Sequence, residues 1–311
     1  MLSRVADSLY WMARYIERSD GVLRMLKVNY AYSQDDIKEF SWKPVLQLFT
    51  YLQEKEADKL AQNPRSVLQY LVTDKENDNA VVNLVTRARE NARSAQDHIT
   101  KELWQCLNDY YHTMREEWLA QWLQKDDPIT ILDVLIKQGL LYYGTADITM
   151  SRGEGNSFIN IGKFLERAII SVDLLGVKFN KDSYNVETLA DAHYWKYLLL
   201  SISGYELYLK NYRSSFEARN VVEQVVLNTS FPRSLIYSLT RLQRYFDRLK
   251  KGIEANSFQE MDFMIGKLLS EVRYSTAETI IQENLSEFLQ RVKSELHAIA
   301  IALNQHYFAY A

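Results

Sequence analysis

Two Glu-Arg pairs, Glu17-Arg18 and Glu166-Arg167, carry the side chains of this sequence that are best suited to chemistry. Each pair lies in a largely apolar stretch, "WMARYIERSDGVLRML" in the first case and "NIGKFLERAIISVDLL" in the second. A glutamate in apolar surroundings can act as a general base, and a guanidinium beside it can hold a carboxylate or a phosphate. Glu17 and Glu166 are therefore the candidate catalytic residues, although no reaction follows from the residue types alone.

The same pairs can also be explained without any reaction. Burying an unpaired carboxylate is costly, so each glutamate needs a cation or a hydrogen-bond donor. Three interpretations stay open: ion pairs between helices that fix their register, one polar site shared by two halves of the protein, and solvated surface pairs. The candidate binding cations on the same two segments or elsewhere in the chain are Arg14, Arg18, Lys163, Arg167, Arg89, Arg93 and Arg233.

Two further motifs could bind an anion. "SRGEGNSF" places two glycines and Arg152 before the second Glu-Arg segment, where backbone amides can cradle a negative group; a capping loop is the alternative. "TRARENARS" presents Arg89 and Arg93 four residues apart, which suits a phosphate or a carboxylate; an ion-paired helix face is the alternative.

Metal and nucleophile chemistry have little support in the sequence. The five histidines form no HExxH and no repeated ExxH pattern, so we expect no metal and no cofactor. Cys106 is the single cysteine, which excludes an internal disulfide, and its neighbours Trp104 and Leu107 indicate a packing role.

The composition indicates a helical protein of the cytoplasm. Only 10 glycines and 4 prolines occur in 311 residues, which favours long helices with short connections over a many-stranded sheet. The net charge of −3 and the pI of about 6.0 provide no broad basic surface for nucleic acid or an anionic membrane. No apolar run is long enough to span a membrane, and charges come too early for a signal peptide.

Apolar residues recur at spacings of three and four, which predicts an all-α multi-helix bundle without a sheet. The stretch 81–122 reads as one very long helix or as two in series, with Thr100 as the N-cap of the second. Further helices are predicted from Thr188 to Tyr212 and from Thr276 to Tyr307. Helix starts are predicted at three Xaa-Pro pairs: Asn63-Pro64, Asp127-Pro128 and Phe231-Pro232.

The two Glu-Arg segments align at a constant offset of 149 residues, which places Glu17 on Glu166. On a helical projection each glutamate lies roughly 110–120° from the centre of its apolar stripe. A second, weaker internal similarity aligns "AVVNLVTRARE" with "SLIYSLTRLQR". A rival alignment, which cannot hold at the same time, pairs "NPRSVLQYL" with "FPRSLIYSL". We therefore predict two related helical halves, 1–145 and 146–311, packed into a single domain over 1–311.

Several motifs in the same order resemble the bacterial alpha-E proteins, an all-helical family named for a recurring Glu-Arg motif. The matching stretches cover nearly the whole length and are "MLSRVADSLYWMARYIER", "ARENARS" with Trp104 after it, "GKFLERA", Trp195, Tyr205-Glu206 with Tyr208, and "FPRS". The chain departs from the family's pattern at Asn156, Lys163 and Ile169. The resemblance adds Glu206 to the candidate binding residues.

The resemblance implies an association with ATP-grasp amidoligases and transglutaminase-like proteins, in peptide synthesis or amide modification. The expected function is that of an accessory or binding protein, with a protein partner and a small anionic or peptide ligand. One alternative is an enzyme that acts on a peptide or amino-acid-like substrate, with a glutamate as general base and arginines as anion clamp. A second alternative is a non-catalytic helical scaffold.

Overall fold

The computed structural model describes residues 1–34, 41–125, 127–179, 189–213, 216–250 and 255–308. Helices and their connections account for all of these residues, and none of them lies in a strand. The all-α prediction is therefore confirmed. No helix within the described ranges is both long and apolar enough to cross a membrane.

The chain divides into two compact units, and helix α1 (Ser3–Ser33) belongs to both of them. The first unit comprises Trp11–Ser151, and the second comprises Met1–Tyr10 with Arg152–Ala311. Besides its part of α1, the first unit contains α2 (Lys43–Phe49), α3 (Glu54–Ala61), α4 (Pro64–Val72), α5 (Val81–Ser94), α6 (Lys101–Arg115), α7 (Glu117–Lys125) and α8 (Pro128–Thr149).

The second unit is built around the second Glu-Arg helix. That helix, α9 (Glu154–Phe179), packs against α13 (Leu235–Asp247) and α16 (Leu285–Leu303), and α13 packs against α14 (Ala255–Arg273). Two π-helical turns, Glu223–Leu227 and Asn304–Phe308, continue α12 (Ala218–Val222) and α16. The helices are α9 (Glu154–Phe179), α10 (Leu189–Ser201), α11 (Tyr205–Tyr212), α12 (Ala218–Val222), α13 (Leu235–Asp247), α14 (Ala255–Arg273), α15 (Ala277–Gln282) and α16 (Leu285–Leu303).

Side-chain caps fix several helix starts. Asn63 and Asp127 each accept two backbone N–H groups at the starts of α4 and α8, and Thr100 accepts one at the start of α6. These contacts satisfy amides that have no partner inside the helix. The predictions at Asn63-Pro64, Asp127-Pro128 and Thr100 are confirmed. The predicted start at Phe231-Pro232 is wrong, because the cap is Ser234 and α13 begins at Leu235.

The long predicted helices are interrupted. The stretch 81–122 is divided among α5, α6 and α7, with a short 3₁₀ turn (Gln96–His98) after α5. The helix predicted from Thr188 starts outside the described residues, and it ends before Ser203, which has a φ of 56°. The helix predicted from Thr276 breaks at Asn284, which has a φ of 76°. Left-handed residues cannot continue a right-handed helix, so each break starts a new one.

Helix α1 is buried on more than one side. Met12 and Ile16 on its main apolar stripe are buried, and so are Val22 and Met25 on the opposite side. The expectation that a helix with two apolar sides is covered on both is confirmed for this segment. The predicted repeat of 1–145 and 146–311 stays a prediction, and the two units meet in the sequence between Ser151 and Arg152.

Candidate functional site

Glu17 is completely buried in the first unit. Its exposed fraction is 0%, and its Oε2 accepts a hydrogen bond of 2.6 Å from the hydroxyl of Tyr143 on α8. A buried carboxylate is stable only when donors replace the water it has lost. The length of 2.6 Å lies at the short end of the range for O–H···O hydrogen bonds. The glutamate therefore fastens α1 to α8.

Other polar contacts continue along the same pair of helices. Lys27 on α1 forms an ion pair of 2.7 Å with Asp133 on α8. Between these two links, Asp20 approaches Gly139, where an added Cβ would lie 3.6 Å from its Oδ1. The partners descend along α8 as the positions ascend along α1, so the contacts set one antiparallel register.

Asp20 is itself buried, and Arg24 neutralises it from one turn further along α1. The guanidinium Nε lies 2.9 and 3.0 Å from the two carboxylate oxygens. Burial by itself lowers the pKa of Arg24. The negative charge of Asp20 and the hydrogen bonding between the two side chains outweigh burial, so the pKa of Arg24 is raised. Glu17 acts in the same direction from a greater distance. The first Glu-Arg motif thus lies within a larger buried network.

The two arginines that flank Glu17 also have partners in the first unit. Arg14 is buried, and its guanidinium carbon lies 4.6 Å from the ring centroid of Trp11. Arg18 donates from Nη1 to Oδ1 of Asn79, at 3.2 Å, in the connection between α4 and α5. Arg18 therefore ties α1 to a loop of its own unit.

The motif "ARENARS" forms an ion-paired helix face. Glu90 accepts from Arg89 at 2.6 Å and from Arg93 at 2.8 Å. The guanidinium of Arg89 also lies 5.2 and 4.8 Å from the ring centroids of Trp104 and Tyr111 on α6. Stacking of this kind holds an arginine in place. The two arginines are brought together, and an acid of the same helix binds both and offsets one of their two charges.

Glu166 is buried in the second unit, with an exposed fraction of 1%. Asp173 lies two turns further along α9 and pairs with Lys293 of α16 at 2.6 Å. Burial raises the pKa of Asp173, and the charge of Glu166 raises it further. Lys293 and His297 act in the opposite direction and lower it. Both Glu-Arg glutamates are therefore core residues, and the solvated-surface interpretation of the pairs is wrong for Glu17 and Glu166.

Lys163 and Arg167 lie against the same aromatic ring. The ammonium of Lys163 is 4.6 Å from the centroid of Phe164, and the guanidinium carbon of Arg167 is 5.4 Å from it. Such contacts stabilise a cation near an apolar surface. Both candidate cations of the second motif thus lie around Phe164.

The segment "FPRS" is held on α9. Arg167 donates to the carbonyl of Pro232 at 3.3 Å, and Ser171 donates to the carbonyl of Arg233 at 2.8 Å. Ser234 then caps α13 by accepting from the amide of Tyr237. The arginine of the second motif and the backbone at Arg233 therefore anchor the loop before α13.

The remaining predicted residues lie at helix starts. Arg152 is exposed before α9, and the first turn of that helix carries Glu154, an acid that opposes an anion there. The carbonyl of Gly153 accepts from the amide and the hydroxyl of Ser157, as expected of a capping loop. Glu206 is exposed in the first turn of α11 and bonds to no other described residue.

Cys106 is buried on α6, which agrees with the predicted packing role. Burial raises the pKa of its thiol to about 11, so the thiol stays protonated at neutral pH. Within the described ranges no three His, Cys, Asp or Glu residues are grouped as metal ligands.

Sequence reasoning missed the principal partner that the structure assigns to Glu17. Tyr143 belongs to the apolar stretch "GLLYYG", and nothing in its spacing indicates a role. Asp20 and Arg24 could have been found, because an acid followed by a cation four residues later is a recognised helical pair. Contacts between helices leave no such local signal.

Over residues 1–308 the sequence matches the Alpha-E family, described as a predicted alpha-helical domain with a conserved ER motif. Uncharacterised proteins of Mycobacterium bovis and Mycobacterium tuberculosis are each 23% identical over 96% of this chain. The chain spans only 36% of the length of these relatives. No solved structure matches the chain at a significant level. The match over almost every residue of the sequence means that this chain belongs to the Alpha-E family.

Proposed function

We propose that this protein is a non-catalytic accessory protein of an amide-forming system in the cytoplasm. Its partner would be an ATP-grasp amidoligase, with a transglutaminase-like protein as a second partner, in peptide synthesis or amide modification. The partner class comes from the resemblance of the sequence to the alpha-E proteins. The lack of catalysis is inferred from the burial of Glu17 and Glu166.

The burial of both glutamates carries the proposal. A general base must come within hydrogen-bonding distance of the proton that it removes. Glu17 and Glu166 have exposed fractions of 0% and 1%, and Glu17 already holds the hydroxyl of Tyr143. These carboxylates suit a frame that sets helix register better than a site that receives substrate. The enzyme alternative is disfavoured on this ground, and the scaffold alternative differs in lacking a ligand or partner.

The length of the mycobacterial relatives supports a function alongside other domains. In those proteins the matched region is only 36% of a much longer chain. A domain that works next to a second one is often found in such an arrangement.

The test is co-expression of the tagged full chain with an ATP-grasp amidoligase from the same organism. We expect a complex that survives size-exclusion chromatography and a ligase rate several times that of the ligase alone. The tag alone is the control for non-specific capture. Absence of a complex at micromolar concentrations, together with an unchanged ligase rate, would contradict the proposal.

A further inference from the structure

The second unit contains a cleft that no sequence motif indicated. Its volume is about 470 Å³, within the range of roughly 300–1,000 Å³ that small-molecule sites occupy. It lies between α13 and the end of α14, and its apolar lining comes from Leu227, Ile236 and Val272. We call it the arginine cleft, because Arg241, Arg244 and Arg273 complete its wall.

The guanidinium groups of these three arginines form no ion pair and no hydrogen bond with any residue that the structure describes. Arg241 instead lies over the ring of Tyr237, at 4.9 Å from its centroid. Tyr237, Arg241 and Arg244 follow one another at intervals of four and three, so they share one face of α13. The cleft therefore concentrates positive charge on one side of a helix.

The neighbouring acids are engaged elsewhere. Gln243 donates to Asp247 at 2.8 Å and to Asp262 at 2.6 Å. Arg291 of α16 holds Glu271 at 2.7 Å. Among the residues that the structure describes, no acidic residue lines the cleft. Like charges at short range repel, so an anion from solution would stabilise this arrangement.

The aligned segment of α5 carries a different arrangement of charges. When "AVVNLVTRARE" is aligned with "SLIYSLTRLQR", Glu90 falls on Arg244. In α5 that glutamate binds Arg89 and Arg93, whose aligned positions in α13 hold Gln243 and Asp247. An arginine of α13 therefore stands where α5 has a carboxylate.

Hydroxyl groups complete the lining. The hydroxyls of Thr229 and Tyr237 bond to no described residue and are available as donors. Guanidinium groups with neutral hydroxyl donors are a suitable set for phosphate and carboxylate oxygens. The apolar lining would contact the uncharged part of such a molecule.

We propose that the arginine cleft binds a small molecule that carries two or more phosphate or carboxylate groups. The site rests on the second unit alone and goes beyond the accessory function, so either proposal can fail without the other. Its contacts involve none of the Glu-Arg residues.

The test is isothermal titration calorimetry of the full chain with inorganic pyrophosphate and, separately, with citrate. We expect saturable binding of at least one probe with a dissociation constant in the millimolar range or below, weakened by salt because surface charges are screened. Tighter pyrophosphate binding would indicate a phosphate ligand, and tighter citrate binding would indicate a carboxylate ligand. The variant Arg241→Gln, Arg244→Gln, Arg273→Gln should bind at least about tenfold more weakly, since each lost charge-assisted bond weakens affinity.

The matched control is Arg248→Gln, which removes an exposed arginine at the end of α13 that does not line the cleft. It should leave both affinities unchanged, and circular dichroism should show that all variants are folded. The proposal is overturned if neither probe binds saturably, or if the triple variant binds as tightly as the unaltered chain.

Discussion

Replacement of Gly162 by alanine is expected to destabilise the protein by about 3 kcal/mol or more, because overpacking against backbone cannot relax easily. A Cβ at this position would lie 2.3 Å from the carbonyl oxygen of Tyr10 and 3.1 Å from its carbon. Both atoms belong to the backbone of α1, so the two helices would have to separate. The melting temperature should fall by roughly 6–12 °C for a unit of this size.

The control for this change is Gly176→Ala in the same helix. A Cβ at Gly176 would have no atom within 4 Å, so the substitution meets open space. It should leave stability unchanged or raise it by up to about 1 kcal/mol through helix propensity. Thermal unfolding followed by circular dichroism compares the two variants. A Gly162→Ala protein as stable as the Gly176→Ala protein would contradict the close approach of α1 and α9.

Removal of the Tyr143 hydroxyl is expected to cost about 1–3 kcal/mol, because it takes a hydrogen-bond donor away from the fully buried carboxyl group of Glu17. The variant Tyr143→Phe keeps the ring and deletes the donor. In a Glu17→Gln background the same deletion should cost about 1 kcal/mol or less, since an amide oxygen is a neutral acceptor. The difference between the two costs, measured by urea unfolding as a double-mutant cycle, is the coupling between the residues.

The adjacent Tyr142 provides a matched control. Its hydroxyl is buried without a hydrogen-bond partner among the described residues, and burial raises its pKa. Tyr142→Phe should therefore be neutral or stabilising, because it removes an unsatisfied buried polar group. Equal costs for Tyr143→Phe in both backgrounds, or no cost in either, would contradict the structural role of Glu17.

Local features of the fold were predictable from the sequence. Apolar spacing predicted the long first helix, and Asn63, Thr100 and Asp127 marked helix starts through their capping side chains. Each of these signals acts within a few residues of the chain. The breaks at Ser203 and Asn284 depend on backbone conformation that neither residue type demands. They could not be predicted from spacing.

The candidate site was predictable only in its anchor residues. Glu17 and Glu166 were singled out by their repeated motif, and their burial follows from the apolar sides of both helices. The partner of Glu17 could not be derived, because Tyr143 reaches it through tertiary packing between two helices. Arg241 and Arg244 occur in the quoted stretch "SLIYSLTRLQR", but only the cleft gives them a shared role.

We propose that the two halves derive from one duplicated helical unit. In the alignment of "AVVNLVTRARE" with "SLIYSLTRLQR", Ala80 directly precedes α5 and Ser234 directly precedes α13. In the rival alignment Pro64 begins a helix whereas Pro232 lies before one. Correspondence of helix starts is what a duplication requires. It therefore supports the first alignment.

The most direct test of the central claim, that the Glu-Arg glutamates are structural, uses Glu17→Gln and Glu166→Gln in the full chain. Glutamine keeps the shape of the side chain but cannot act as a general base at neutral pH. At a temperature where circular dichroism shows both variants to be folded, the rate of the ATP-grasp ligase with each variant should equal the rate with the unaltered protein. A ligase rate that falls to the rate of the ligase alone, with the variant folded and still in the complex, would contradict the claim.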